Sequence, residues 1–303
     1  MSSISVRSYQ LLHEAAERPL LYNAPWWLDA TCGTDSWDAV IYKDEAGKVL
    51  AAMPFHLARI RGLSAVITPP MTQWVSILHD PGDTKEFHSS LIDKLPSTSI
   101  LDLSFRQVSD VVLDEEAFPV HLRYSYIIPA GIPTEQVKAG YNEGLKRNLR
   151  QAKENYVLQE SRDIQGFLGL YLATHHQRNI KPPSWLEEVV PRVFEQLLKH
   201  ECGQLNVALW RGKPIAGILT GWDQEAFYYL AGGRTGDDQG ASAHALLLDD
   251  AIERSRLAGK AFDFEGSMHP GIANFFQSFG AIPLPYWQLR KFRGLGKWWS
   301  LFH

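Results

Sequence analysis

The most informative pattern of apolar and polar positions in this chain runs from about Ala226 to Gly280. AFYYLA, starting at Ala226, has the aromatic richness of a strand. After the glycine-rich segment GGRTGDDQGAS, apolar residues recur at Ala241, Ala245, Leu248 and Ile252, and Leu247 and Ala251 widen the stripe. Asp249, Asp250, Glu253 and Arg256 form the opposite, wet face, so the spacing predicts an amphipathic helix from about Ala241, closed by Gly259. AFDFEG then alternates as a strand does, placing Asp263 and Glu265 on one side and Phe262 and Phe264 on the other. A last short helix repeats Ile272, Phe275, Phe276 and Phe279 between Pro270 and Gly280.

Earlier in the chain, a short strand and a helical segment HEAAERPLLYN precede a second helix, APWWLDAT, with Trp26, Trp27 and Leu28 facing inward. WDAVIYKDEAGKVLAAMPFHL reads as a hairpin, and LNVALWRGKPIAGILTGW reads as another. In both, an apolar arm ends in an aromatic and a cation, a Gly-Lys pair follows (Gly47-Lys48 and Gly212-Lys213), and the return arm opens on VLAA or PIAG. The offset is 165 residues. Beyond each hairpin the pattern runs strand, turn, helix and strand, ending in ILDLSF or AFDFEG. A fixed offset with matching element order predicts a duplicated domain, against the alternative of two ordinary hairpins alike by chance. The copies differ at one place: the first has HDPGDT before its helix and Ser104-Phe105 where the second has Glu265-Gly266.

Between the copies the pattern predicts a helix from about Thr134 to Asn155, with Leu145, Leu149 and Ala152 as its apolar stripe. Lys146, Arg147, Arg150 and Lys153 lie beside it, as either a solvated face or a lure for an anion. Two further helices follow, one on Ile164, Phe167, Leu168, Tyr171 and Leu172, the other on Trp185 through Leu198, with KPPSW between them. His175 and His176 end the first of these, where a cation complements the helix dipole. The predicted domains are 1–133, a basic linker helix 134–160, and 161–303.

Composition narrows the picture. At 303 residues, 45% of them hydrophobic, the chain suffices for two folded cores. A net charge of −4 and a pI near 6.3 argue against a dedicated nucleic-acid binder, DNA included, while leaving room for local basic patches. Cys32 and Cys202, far apart and outside any C-x-x-C pair, predict neither a disulfide framework nor a metal site. No signal peptide and no apolar run of membrane-spanning length are read in the sequence, so a cytoplasmic location is expected. The tail LGKWWSLFH, with Lys297, Trp298, Trp299, Leu301 and Phe302, suits docking on a domain surface or a membrane interface.

The glycine-rich segment carries the candidate chemistry. Gly232, Gly233, Gly236 and Gly240 are able to take positive φ or to let a ligand approach the backbone, and they feed a helix N-terminus that favours an anion. Arg234 adds a cation that can fork onto phosphate oxygens. Strand, glycine turn, helix, FDFEGS, GIANFFQSFGA and PYWQLRKF in that order resemble the C-terminal half of a GNAT-type acyltransferase of the FemAB-like, tandem-domain kind. The resemblance implies an α+β fold with α/β-like mixed sheets, two tandem GNAT-like domains with a cleft between them, and an N-acyltransferase activity. Only the second copy is equipped for a phosphorylated co-substrate. GLKRNLRQAKENYVLQES is similar to the basic, linker-proximal helix of FemAB-like proteins.

For acyl transfer from acyl-CoA, with acetyl-CoA the leading donor, the expected co-substrate residues are Gly232, Gly233, Arg234, Gly236, Gly240, Ala241 and Ser242. Amides from Leu230 to Gly233 are candidate oxyanion donors. Glu265, at a strand's C-terminal end, is the candidate base, with Ser267 and His269 near it in sequence; the competing reading of Glu265 is a helix cap or ion-pair partner. The expected acceptor is a small amine, amino sugar or amino-acid derivative, with Gln73, Trp74, Arg147, Arg150 and Trp185 as candidate contacts. The resemblance leaves aminoacyl-tRNA open as the other donor, with a cell-wall precursor as acceptor. A non-catalytic binding protein on a degenerate scaffold is the third reading, because Asp237 and Asp238 bring negative charge to the turn; the acyl-CoA reading requires both to face solvent.

Overall fold

The computed structural model describes residues 3–16, 19–79, 85–106 and 120–294. Two compact units emerge, one comprising Met1–Arg123 with Pro285–His303, the other Tyr124–Leu284. HDPGDT beyond His79 and the aromatic tail lie outside the described residues.

The first unit opens on α1 (Ile4–Ala15), which is helical where the sequence pattern suggests a strand. Ser3 decides this by accepting the Val6 N–H at 3.1 Å as an N-cap. α2 (Pro25–Cys32) begins on proline and buries Trp27 and Leu28. The hairpin of β1 (Trp37–Lys43) and β2 (Val49–Ile60) follows, then β3 (Leu63–Ile67), the two-residue β4 (Leu78–His79), α3 (Lys85–Asp93) and β5 (Ile100–Arg106). Strand alternation divides β5: Leu101, Leu103 and Phe105 pack with Leu91 and Ile92 of α3, while Asp102 and Ser104 line a cavity of about 390 Å³ on the other side.

The second unit takes the end of β6 (Val120–Ile128), then α4 (Thr134–Ala139) and α5 (Glu143–Asn155). The single helix expected over 134–155 is thus two. Gly140 ends the first, and Asn142 starts the second by accepting the Leu145 N–H at 2.8 Å. β7 (Val157–Ser161), mostly exposed and without the apolar alternation that marks a strand, precedes α6 (Ile164–Gln177) and α7 (Leu186–Lys199). The remainder is β8 (Gly203–Trp210), β9 (Lys213–Trp222), β10 (Ala226–Arg234), α8 (Asp238–Leu257), β11 (Ala261–Gly266) and α9 (Pro270–Gln277). β12 (Ile282–Phe292) carries the chain back, pairing antiparallel with β5 of the first unit from Tyr286–Arg106 to Phe292–Ile100.

One pairing topology serves both units. In the first, β1–β2 and β2–β3 are antiparallel, β3–β5 is parallel and β5–β12 antiparallel. In the second, β8–β9 and β9–β10 are antiparallel, β10–β11 is parallel and β11–β6 antiparallel. Each parallel pair is joined by a connection that contains a helix, α3 or α8, since parallel strands need a long crossover.

Gly232 and Gly233 belong to β10 rather than to the turn, and none of the four glycines of the segment has positive φ. Close approach is what requires glycine here. A Cβ on Gly233 would lie 2.3 Å from the Tyr171 backbone nitrogen, because α6 lies directly on the strand. Gly233→Ala should therefore destabilise the protein by about 1–3 kcal/mol, as overpacking against backbone does, measured as a lower urea midpoint at unchanged m-value.

Candidate active site

The site is built where two parallel strands separate. β10 and β11 are in register at Ala226–Ala261, Phe227–Phe262 and Tyr228–Asp263, and the register ends there. On its other edge β10 stays paired with β9 as far as Arg234–Ala216, with an irregularity between Tyr229 and Ala231. Such a bulge turns the strand and re-aims its side chains. Beyond Tyr228 the parallel register with β11 is lost, which leaves an opening between the two strands beside Leu230–Gly233.

Across it stands Glu265, half-buried, with φ +60°, a left-handed conformation that a non-glycine residue holds only at a cost. Its N–H donates to Asp263 Oδ1 at 2.8 Å, and Asp263, 4% exposed, also accepts from Ser125 Oγ. That bend breaks simple alternation, so Asp263 and Glu265 are not two equivalent acids on one face. Ser267 and His269 serve the start of α9: Ser267 Oγ accepts the His269 N–H at 3.2 Å, and His269 Nδ1 accepts the Gly271 N–H at 3.2 Å.

The turn after β10 is closed on itself. Asp237 is the N-cap of α8, its Oδ1 accepting from the Gly240 N–H at 2.8 Å and from Thr235 Oγ1 at 2.7 Å. These two donors hold its carboxyl below the usual carboxylate range. Asp237 and Asp238 are both exposed to solvent, and the Asp237 carboxylate at the same time turns onto the helix end because the orphan amides there need an acceptor. Arg234 Nη1 donates to Thr235 O at 2.9 Å and Asp237 O at 3.4 Å. A Cβ on Gly236 would meet the Gln177 side chain, and one on Gly240 the Thr235 hydroxyl at 2.4 Å. Ala241 donates its N–H to Asp237 O at 3.2 Å, and Ser242 is half-buried in the same first turns of α8.

Three residues not singled out above, Tyr229, His244 and Arg178, come together near Tyr171, Arg234 and Glu265. Tyr229 Oη and His244 Nε2 are 2.9 Å apart. Burial raises the Tyr229 hydroxyl well above its ordinary value, Tyr171 and Glu265 add to that, and Arg178 and Arg234 oppose it. Burial also pushes His244 down to about 3, aided by Arg234 and Arg178. Tyr171, pushed up to about 12 by burial and then by Glu265, edges onto His175 at 4.8 Å. The signal for His244 is in the sequence: an imidazole set within the apolar stripe of α8.

The candidate acceptor contacts are scattered. Gln73 lines the cavity of the first unit with Thr68, Thr72, Asp102, Ser104 and Gln288. Trp74, 3% exposed, is enclosed by Tyr22 and by Arg106, which lies 5.2 Å from its ring centre. Arg147 and Arg150 are exposed on α5, whereas their neighbours Lys146 and Lys153 are tied to Glu143 and Asp249. Trp185 is half-buried and takes the N-cap position of α7.

Residues 140–271 match the family model described as an acetyltransferase (GNAT) domain. That stretch resembles a GNAT acetyltransferase domain and spans somewhat less than half of the chain. Fold likeness extends beyond it, over both units. FemX aligns over 94% of this chain and 96% of its own at TM-score 0.67 and 12% identity. A protein of unknown function from Bacteroides thetaiotaomicron covers 96% and 98% at TM-score 0.61 and 11% identity. The C-terminal domain of a putative lysylphosphatidylglycerol synthetase from Agrobacterium fabrum covers 98% and 96% at 0.57 and 10%. At such identities the likeness is one of fold. No curated protein matches the sequence. Among the described residues, no helix is long and apolar enough to cross a membrane.

His244 also makes stability depend on pH. Its folded value lies below the ordinary value of about 6.5, so the unfolded chain binds the proton first, and stability falls as pH drops from about 6.5 toward 3. His56, pushed down to about 4 by burial, acts in the same direction. His244→Gln should flatten the urea-derived stability profile between pH 6.5 and 4 by up to about 1.4 kcal/mol per pH unit, leaving the His56 share.

Proposed function

We propose that the second unit transfers an acyl group from acyl-CoA, acetyl-CoA foremost, to the amine of a small molecule, amino sugar or amino-acid derivative in the cytoplasm. The parting of β10 from β11 beside the glycine turn carries this reading. A thioester arm laid in that opening meets the strand amides beyond Tyr228, and its diphosphate reaches the start of α8.

The fit at the diphosphate end is partial. Asp237 already accepts the Gly240 N–H, and its charge opposes a second anion there. What serves the phosphates is the pair Arg234 and Arg178, whose mutual repulsion an anion relieves, with the amides of Asp238 and Gln239, which have no intrahelical acceptor as the first residues of α8. Gly232 and Gly233 keep the strand bare beside the opening.

Glu265 takes the proton from the attacking amine, held at the opening by its left-handed backbone. Ser267 and His269 act through the cap of α9, which fixes the chain following Glu265. For the acceptor we take, within the second unit, the exposed Arg147 and Arg150; Gln73 lines the cavity of the first unit, where Trp74 contributes packing.

Thermal shift tests the donor. Millimolar acetyl-CoA should raise Tm, since ligand at about 100 times Kd adds about 2.7 kcal/mol, and Arg234→Ala should abolish the rise. Asp237→Asn keeps the cap and removes the charge, so it should tighten acetyl-CoA several-fold by calorimetry. An unchanged Tm with acetyl-CoA, alongside a rise with aminoacyl-tRNA, would replace acyl-CoA by the aminoacyl donor.

A further inference from the structure

The hydroxyl of Tyr229 occupies a place that no packing need explains. It lies so close over the strand that a Cβ on Gly232 would be 1.9 Å from Tyr229 Oη and 2.6 Å from His244 Nε2. Gly232 is therefore the floor on which the Tyr229–His244 pair rests. The rings around the pair are apolar: Phe276 meets Tyr229 edge-on at 6.2 Å, and Phe275 stacks on His244 at 6.1 Å with planes 20° apart. The irregularity between Tyr229 and Ala231 comes just where β10 leaves β11, so Tyr229 is the first β10 residue beyond the shared register.

We propose that Tyr229 supplies a side-chain oxyanion donor for the acyl-transfer step, its hydroxyl aimed by His244 at the acyl carbonyl oxygen lodged where β10 and β11 part. This rests on the acyl-CoA reading above and adds to the strand amides a donor that the GNAT match leaves unassigned.

The alternative for such a pair is proton relay, and the surroundings oppose it. A relay would make His244 an imidazolium in an apolar pocket beside Arg234 and Arg178, and would make Tyr229 a phenolate facing Glu265. Both partners stay neutral. With His244 Nε2–H donating to Oη, the Tyr229 O–H is freed to point into the opening. In the step, the amine lone pair forms the new bond to the carbonyl carbon, and the carbonyl π pair moves onto oxygen. Tyr229 O–H donates a hydrogen bond to that oxygen without surrendering its proton. On collapse the pair returns, the carbon–sulfur bond breaks with its electrons on sulfur, and the amine proton passes to Glu265. His244 touches no substrate atom and is a positioning residue.

The test reads the bond directly. Acetyl-CoA labelled with ¹³C at the thioester carbonyl is titrated into the full chain, and the bound carbonyl resonance is recorded for the wild type, Tyr229→Phe, His244→Phe, His244→Gln and Tyr228→Phe. Tyr228 is the control, since its hydroxyl donates to Asp223 Oδ2 at 2.8 Å. The wild type and Tyr228→Phe should show the same downfield displacement from free acetyl-CoA. In Tyr229→Phe the resonance should return toward the free position with Kd within about threefold, and turnover with any accepted amine should fall about 10²–10³-fold in kcat. His244→Phe should lose part of the displacement, and His244→Gln, which keeps an N–H donor, should restore it. A Tyr229→Phe complex with the wild-type resonance overturns the donor role, and a His244→Phe complex with it overturns the positioning role. Failure of the wild type to bind acetyl-CoA overturns the acyl-CoA reading and this inference with it, whereas binding with no displacement overturns the inference alone.

Discussion

The site depends on β10 being held along one edge and released along the other. Antiparallel hydrogen bonds to β9 run the length of the strand, whereas the parallel register with β11 lasts three residues. A strand paired on both edges would spend every amide on its neighbours. The irregularity after Tyr229 turns β10 away, and α6 then presses its own backbone on Gly233, leaving the strand little freedom to swing back. Thr174 of α6 fastens the contact from both sides, accepting the Arg234 N–H at 2.9 Å and donating to Arg234 O at 3.2 Å.

The first unit shows what the same topology does without that release. After Ile67 parts from Asp102, a bridge between Val75 and Phe105 continues the pairing. Val75 N–H donates to Ser104 O at 2.9 Å and Arg106 N–H to Val75 O at 3.1 Å, so the loop after β3 stitches shut what is open in the second unit. Asp102 is spent on Arg290 at 2.9 Å and on Gln288. The same topology serves both units, and the parallel pairing is extended past its register by main-chain hydrogen bonds in the first.

α8 must hold its start beside β10, and a polar network far from the opening anchors it. Asp249, 2% exposed, accepts from Tyr141 Oη at 3.1 Å and pairs with Lys153 at 3.1 Å, and Lys138 pairs with Glu253 at 2.6 Å. A buried carboxylate with both partners in place is satisfied, and losing either would leave it as a buried charge. These contacts tie α4 and α5 to α8, so the break at Gly140–Asn142 has a use: it lets two short helices approach α8 from different directions.

Much of this was legible in the sequence by itself. Periodicity announced α8, β11, α9, α6 and α7, the fixed offset announced the repeated pairing topology, and the ordered motifs announced the likeness to a GNAT domain, because each is written in neighbouring residues. Only the tertiary structure decided what the glycines are for. Gly232 and Gly233 look like turn residues in one dimension, yet they are required by Tyr229, His244 and the backbone of α6, partners up to 63 positions away in the chain. The same holds for Asp237, whose direction depends on which amides lack an acceptor, and for Glu265, whose left-handed backbone breaks the alternation that a strand pattern assumes. Local spacing encodes elements; which groups are left unsatisfied, and which surfaces collide, exists only once distant segments are brought together.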